Sequence, residues 1–247
     1  MAKTRPTPNA PSRRGFQAAW LGGVLRAGLV ALLAACTSCA ACSGDGTRPA
    51  ADRTDEARLH RYLAVAFGNR FGPPPERLRK WPASQGSLVL RPTGEPTYED
   101  RVHLRLLVRE LDATLEHLDL VLAEWDERPA DVEVRFEPLA DFASTDYPAR
   151  FDCPADDVGR LQPGVLHLPA GDDVPQYMRY NLLVEGLAVC LGLAGATGDD
   201  PESAFYAAPN WYEEGFTPSD LQLFALHDRP ELTPGLSRAE ALARLDG

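Results

Sequence analysis

Histidine, cysteine and acidic side chains most often hold metals or do acid-base work, and their spacing in this sequence does not suit either role. Zinc ligands on one face of a helix stand four residues apart, and a zinc site takes at least three protein ligands. The chain has five histidines, none of them four residues from another: His60, His103, His117, His167 and His227. The sequence also lacks a Ser/His/Asp signature and a glycine-rich phosphate loop. We therefore predict no metal site and no cofactor.

One acidic residue stands within an unusually apolar segment. Residues 177–193 are apolar on nearly every side of a helix, which predicts a buried central helix, and Glu185 lies inside it. A buried carboxylate is costly unless it is paired or hydrogen-bonded. Glu185 is therefore either a pocket carboxylate that remains from an ancestral active site or a structural acid. We favour the structural role, in which Glu185 holds an arginine such as Arg150, Arg160 or Arg179, or caps backbone groups of a neighbouring loop.

Two further features could carry a function, His167 as a metal ligand and an aromatic loop as a recognition element. His167 lies in a strand-like segment, where a histidine is more often exposed or hydrogen-bonded than a metal ligand. Trp211 and Tyr212, flanked by an amide and two acids, form a polar aromatic loop that could contact a partner. Such loops more often pack over a core, so we rank both features below Glu185.

The first 35 residues have the composition of an export signal. They carry five basic residues, no acidic one, and an apolar run of about nine residues that is too short to span a hydrocarbon core. The run ends in Leu33-Ala34-Ala35 before Cys36, the pattern at which bacterial lipoprotein processing cleaves the chain and acylates the thiol. We predict that residues 1–35 are removed and that Cys36 anchors the protein to a membrane of the cell envelope. The alternative is an ordinary signal peptide with an incidental cysteine.

Two adjacent arginines in this leader bear on the export route. Arg13 and Arg14 precede Gly15 and Phe16, as in the twin-arginine signal that exports folded proteins. Paired arginines also occur by chance in a basic leader, so both this route and general secretion stay open.

The charge of the mature chain excludes one class of partner. Without the leader, 20 basic residues face 36 acidic ones, a formal net charge of −16. Nucleic acids are bound mainly through cationic contacts with phosphate, and anionic lipid surfaces also attract basic proteins. We therefore expect no nucleic-acid partner, and we expect the lipid on Cys36 to provide the membrane attachment.

The remaining chain divides into a linker and one domain. Residues 36–54 are small, polar and free of aromatics, which predicts a flexible linker. Cys39 and Cys42 in this linker are further acylation sites, a local disulfide or residues without a role. Residues 55–247 have the length of one globular domain.

The two cysteines of this domain are expected to form a disulfide. An exported chain enters an oxidising compartment, where neighbouring thiols are normally joined. Cys190 lies in the apolar helix, and Cys153 lies in a polar loop that has few apolar groups to hold it. The closed loop of about 36 residues gives roughly 3 to 4 kcal/mol in the chain-entropy model. A free buried Cys190 is the alternative.

Hydrophobic periodicity predicts a mixed α and β domain. Helical spacing predicts one helix after Thr54, a second from Tyr98, the apolar helix, and a last one capped by Thr217 with Pro218 at its first position. Strand-like runs lie at 87–91, 118–122, 132–136 and 165–168. We expect a single α+β domain with a small mixed sheet and a buried central helix.

A set of short motifs, spread over residues 81–242, resembles the bacterial family catalogued as domain of unknown function 2927. The motifs are Glu185 with Leu191-Gly192-Leu193, Asp199-Asp200 before Ser203-Ala204-Phe205, Thr217-x-x-Asp220, and residues 232–237. Many members of that family look like lipoproteins. The family in turn resembles the zincin metallopeptidases, so the resemblance implies a zincin-like fold.

The zincin resemblance does not extend to the chemistry. A zincin helix carries H-E-x-x-H, in which two histidines bind zinc and the glutamate activates water. With Gly192 placed at the glycine that follows this motif, the two histidine positions hold Glu185 and Val189, and the glutamate position holds Gly186. One oxygen ligand remains, and the general base is missing.

Three functions remain from these observations. We favour a non-catalytic, lipid-anchored envelope protein that binds a protein, a glycan or another envelope component through the cleft of the former active site. The first alternative is a hydrolase whose catalytic residues lie at new positions, with Glu185 and Asp199 or Asp200 as base or ligands. The second alternative is a purely structural envelope factor.

Overall fold

The computed structural model describes residues 50–123, 129–144, 147–171, 173–207 and 215–246. The predicted leader with Arg13 and Arg14, the predicted acylation site Cys36, and the loop at Trp211 and Tyr212 lie outside these residues. Residues 47–247 group into one compact unit. Within the described ranges, no helix has both the length and the apolar composition that a membrane crossing requires.

Five strands form one mixed sheet. They are β1 (Ser87–Gly94), β2 (Asp119–Leu122), β3 (Val132–Glu137), β4 (Arg150–Asp152) and β5 (Gly164–Pro169), in the order β2-β1-β3-β5-β4. All neighbours are parallel except β4, which runs antiparallel to β5 at the edge. The four strand-like runs are confirmed. β4 has only three residues and no alternating pattern, so the sequence did not indicate it.

Five helices complete the described part of the domain. They are α1 (Ala50–Ala66), α2 (Tyr98–Asp112), α3 (Gln176–Cys190), α4 (Pro218–Asp228) and α5 (Arg238–Leu245). The expected start of α1 after Thr54 is wrong, because the helix begins at Ala50, within the predicted linker. Alanines are the best helix formers, and no glycine or proline lies between Ala50 and Thr54 to stop the helix.

Side-chain caps set where three of these helices begin. The side chains of Thr97, Thr217 and Ser237 each accept a hydrogen bond from the backbone amide three residues later. The acidic side chain of that later residue accepts a hydrogen bond from the amide of the cap residue. This capping box satisfies amides that have no partner inside the helix. The predicted cap at Thr217 with Pro218 in the first turn is confirmed.

The core lies between one face of the sheet and the helices, with α3 at its centre. Leu182, Leu183 and Leu187 are at most 2% exposed, which confirms that α3 is buried. Gly186 lets α3 approach β5 closely, because a Cβ atom there would overlap the side chain of Leu166. Residues of β3 alternate between buried and half-buried, as their pattern predicted.

Candidate functional site

One stripe of α3 stays accessible while the rest of its C-terminal half is covered. Glu185 and Val189 are half-buried, one helical turn apart, and every other residue from Leu182 to Cys190 is buried. The positions that the resemblance aligns with two zinc-binding histidines therefore share the open face. The position aligned with the catalytic glutamate, Gly186, faces the sheet, where no longer side chain fits.

Both oxygens of the Glu185 carboxylate are engaged. Arg70 Nη1 lies 3.3 Å from Oε1, and the Tyr147 hydroxyl donates to Oε2 at 2.5 Å. The side chains of Glu185 and Arg70 are 15% and 16% exposed, so the pair is largely removed from water. Glu185 is thus a paired acid, which is the arrangement that the structural alternative predicted.

The arginine that holds Glu185 is none of the three proposed from the sequence. Arg150 bonds Asp152, and Arg179 bonds Asp100. Arg70 instead lies in the loop that follows α1, 115 residues before Glu185. No local pattern links residues so far apart, and Tyr147 also gave no signal in the sequence.

Further hydrogen bonds fix Arg70 in place. Its guanidinium donates to the carbonyls of Tyr206 at 3.1 Å and Ala204 at 3.2 Å, and its backbone amide donates to the carbonyl of Ala194 at 3.0 Å. Arg70 therefore ties α3 to the loop after α1 and to the loop at 204–206.

Tyr147 serves Glu185 as a hydrogen-bond donor. Burial raises the pKa of its hydroxyl far above the usual value, and the negative charge of Glu185 raises it further. The hydroxyl therefore keeps its proton at any physiological pH.

A small pocket adjoins Glu185 on the accessible face of α3. We call it the α3 pocket; its volume is about 120 Å³, and its walls are Gly68, Asn69, Phe71, Pro75, Arg79, Phe151, Cys153, Val189, Gly192 and Ala194. Small-molecule sites usually measure about 300 to 1,000 Å³. The α3 pocket therefore has the size for one side chain or a chain end.

Two aromatic rings, those of Phe71 and Phe151, line the pocket, and the Tyr147 ring packs against both. The rings of Phe71, Tyr147 and Phe151 have centroids 5.0 to 6.2 Å apart, and the contact between Phe71 and Phe151 is edge-to-face. Phe71 is 43% exposed, although an aromatic ring of this size gains free energy when it is buried. Phe71 therefore presents part of its ring to solvent beside the pocket.

Arg79 brings a positive charge to the wall of the α3 pocket. It is half-buried, and its guanidinium forms no ion pair with any residue in the described ranges. Arg70, by contrast, is neutralised by Glu185. The pocket therefore combines polar groups and the two phenylalanine rings with one cation that has no acidic partner among the described residues.

The predicted disulfide is present. Cys153 and Cys190 are bonded, with Cα atoms 5.1 Å apart. Cys153 directly follows β4, and Cys190 is the last residue of α3. The bond therefore holds the edge strand against the end of the central helix, beside the pocket.

A glycine turn ends α3 at the pocket. Gly192 has a φ of 97°, and a Cβ atom there would overlap the carbonyl oxygen of Arg79. Only glycine combines this backbone angle with such a close approach. The segment that carries Arg79 can therefore pass directly over the helix end.

Strand β4 offers free backbone groups next to the aromatic rings. It is the edge strand, and within the described residues no strand pairs with its outer side. Phe151 is its central residue and also lines the pocket. An unpaired edge of this kind can add an extended segment from another chain.

The other candidates from the sequence lie elsewhere. His167 is 4% exposed and contacts Glu137 at 2.9 Å and Asp152 at 3.3 Å, on the sheet face away from the helices. Asp200 pairs with Arg61 at 3.2 Å, and Asp199 is exposed. The structure therefore does not bring these residues to Glu185.

Comparisons with known proteins add no assignment. No family model matches the chain, and no curated protein matches it. Within the parts of the chain that the structure describes, no group of three or more histidine, cysteine or acidic residues is arranged to hold a metal ion.

Proposed function

We propose that this protein is a lipid-anchored component of the bacterial cell envelope whose domain binds an extended polypeptide segment at the α3 pocket without cleaving it. The single observation that carries the proposal is the state of Glu185. Its carboxylate is committed to Arg70 and Tyr147, while the aromatic and cationic groups beside it are available.

A polypeptide suits the surface better than a glycan does. Edge strand β4 can supply backbone hydrogen bonds to an added strand, and a pocket beside it can select one side chain or chain end. The apolar wall at Phe71 and Phe151 favours an apolar body, and the unpaired Arg79 favours a carboxylate. We therefore propose a segment with an acidic residue or a free C-terminus next to an apolar one.

We further propose that the domain descends from the zincin-like group that its motifs resemble. A mixed sheet, a buried helix and the glycine turn at Gly192 support this origin. The stripe formed by Glu185 and Val189 then marks the former metal-binding face. An ion pair and an aliphatic residue now occupy it.

A site-specific photocrosslink tests the binding proposal. A benzoylphenylalanine placed at Phe71 in cells of the native host should capture a discrete polypeptide. Capture should fall about tenfold or more when Arg79 is replaced by Gln, because each lost charged hydrogen bond costs roughly 1.5 to 3 kcal/mol. The matched control is the same probe at Leu106, which is 45% exposed on α2.

Three outcomes would contradict the proposal. They are the same captured band at Leu106, no capture at Phe71, or a captured chain that is cut in an Arg79-dependent manner. Stoichiometric zinc in the purified protein, together with loss of cutting in Glu185→Gln, would establish the hydrolase instead.

A further inference from the structure

Lysine is almost absent from this chain, and its one place in the described domain is unusual. Of the 25 basic residues only Lys3 and Lys80 are lysines; the others are arginines. Lys3 lies in the leader, outside the described residues. Lys80 is 9% exposed, whereas lysines normally keep their ammonium in water. A chain that otherwise uses arginine thus has a lysine where the charge is buried.

The backbone around Lys80 is fixed on both sides. Its amide donates to the carbonyl of Gly159 at 3.0 Å, and its carbonyl accepts from the amide of Leu161 at 3.0 Å. The Nζ atom donates to the carbonyl of Arg229 at 2.8 Å. The amine is therefore held in one position.

A second pocket, distinct from the α3 pocket, opens at Lys80. We call it the Lys80 pocket; its volume is about 50 Å³, and its apolar walls include Trp81, Leu118, Leu191, Phe224 and Leu232. Because each water needs about 10 to 15 Å³ of such space, the pocket admits roughly three or four non-hydrogen atoms. A carbonyl compound of two or three carbons has that size.

Burial favours the neutral form of the amine, and two nearby acids favour its charged form. Burial lowers the pKa of Lys80 to about 8, against the attraction of Asp228 and Glu231. Burial also lowers the pKa of the neighbouring His227 to about 3, so that imidazole is neutral. The Asp228 carboxylate accepts from the amides of residues 116 and 117 at 2.6 and 2.7 Å, which holds it beside the pocket.

An arginine could not take this chemical role. Its guanidinium stays protonated at all physiological pH values, whereas a buried lysine releases its proton and becomes a nucleophile. For a surface contact, the positive charge of either residue would serve equally. A lysine at this position therefore supplies an amine that can lose its proton, which an arginine would not.

We propose that the Lys80 pocket is a covalent binding site in which the Nζ amine forms a Schiff base with a small apolar aldehyde or ketone. The nitrogen lone pair attacks the carbonyl carbon, and the carbonyl oxygen leaves as water with the two amine protons. A C=N bond remains between Lys80 and the ligand. Protonation of this nitrogen gives an iminium, whose charge Asp228 and Glu231 stabilise.

Reductive trapping with propanal tests the proposal on the purified full-length protein. Propanal and cyanoborohydride at about pH 7.5 should add a propyl group to Lys80, which peptide mass spectrometry should distinguish from any label on the terminal amine or on Lys3. At this pH about a quarter of amines with a pKa near 8 are unprotonated, against about one in a thousand ordinary lysines. We expect labelling of the native chain to be at least about tenfold faster than labelling of the chain in urea.

Two variants distinguish a pocket that binds the ligand from an amine that is reactive without one. Leu232→Trp fills the pocket while Lys80 remains, and should reduce labelling about tenfold or more. Leu106→Trp, on the exposed face of α2, should leave it unchanged. Equal rates in the native and unfolded chains would overturn the proposal, as would full labelling of a folded Leu232→Trp protein.

Discussion

Glu185 and Arg70 form a largely buried ion pair beside the proposed site. Two charges that are about 85% covered attract each other strongly, but each also loses its water. The ion pair and the Tyr147 hydroxyl together satisfy the carboxylate, so the acid can be buried in an apolar helix without a large loss of stability. Removing one partner would leave the other charge buried and unpaired, which destabilises the fold.

This arrangement gives a prediction at the residue scale. Replacing Glu185 with Gln leaves Arg70 without its counter-charge and should lower the free energy of unfolding by about 2 kcal/mol. Urea denaturation of the purified protein measures this change. The exposed Glu202→Gln serves as the control and should stay within about 0.5 kcal/mol of the wild type.

A double-mutant cycle separates the pair from its surroundings. Arg70→Gln and Glu185→Gln together should cost less than the sum of the two single changes, with a coupling of about 1 kcal/mol or more. Additive losses would mean that Arg70 does not stabilise Glu185. A Glu185→Gln protein of unchanged stability would instead favour an acid kept for its chemistry.

The sequence indicates the chemical type of a buried group's partner better than its identity. An acid in an apolar helix had to be satisfied, and this requirement follows from burial alone. Which arginine supplies the charge depends on how distant loops meet, and Arg70 lies 115 residues away. For the same reason, Tyr147 and Arg79 entered the site only with the three-dimensional structure.

At the element scale, the features decided by neighbouring residues were predictable. The cap at Thr217 and the buried character of α3 each depend on a few adjacent side chains. Strand β4 depends instead on pairing with β5, because three residues carry no periodicity of their own. This unpredicted strand is one side of the proposed binding site.

The disulfide holds that strand in place, which gives a prediction for the element. The Cys153→Ala/Cys190→Ala double variant should lose about 3 to 4 kcal/mol of stability, because the unfolded chain is no longer closed into a loop across 37 residues. Denaturation measures the loss. Relative to the wild type, the rate of amide hydrogen exchange should increase more in β4 than in β1.

Reduction provides the matched control for this variant. Dithiothreitol should destabilise the wild-type protein by a similar amount and leave the double variant unchanged. A loss below about 1 kcal/mol, with β4 still protected from exchange, would mean that packing alone holds the edge strand.

At the scale of the whole molecule, the proposed binding site and the proposed membrane attachment lie in different parts of the chain. Residues 36–247 have a formal net charge of −16, which opposes adhesion to anionic lipid headgroups. The proposed binding site lies on the folded domain, whereas the proposed membrane attachment lies at Cys36. If this division is correct, the anchor can be removed without changing the fold.

The prediction for the whole molecule follows from that division. A Cys36→Ala protein should move from the detergent phase to the aqueous phase in a Triton partition, and it should accumulate with its leader uncleaved, because the thiol is the acyl acceptor. Cys39→Ala is the matched control, since it removes a cysteine three residues further on. It should still be cleaved and stay in the detergent phase. If both variants partition as the wild type does, Cys36 is not the anchor, and the acidic domain must reach the membrane by another contact.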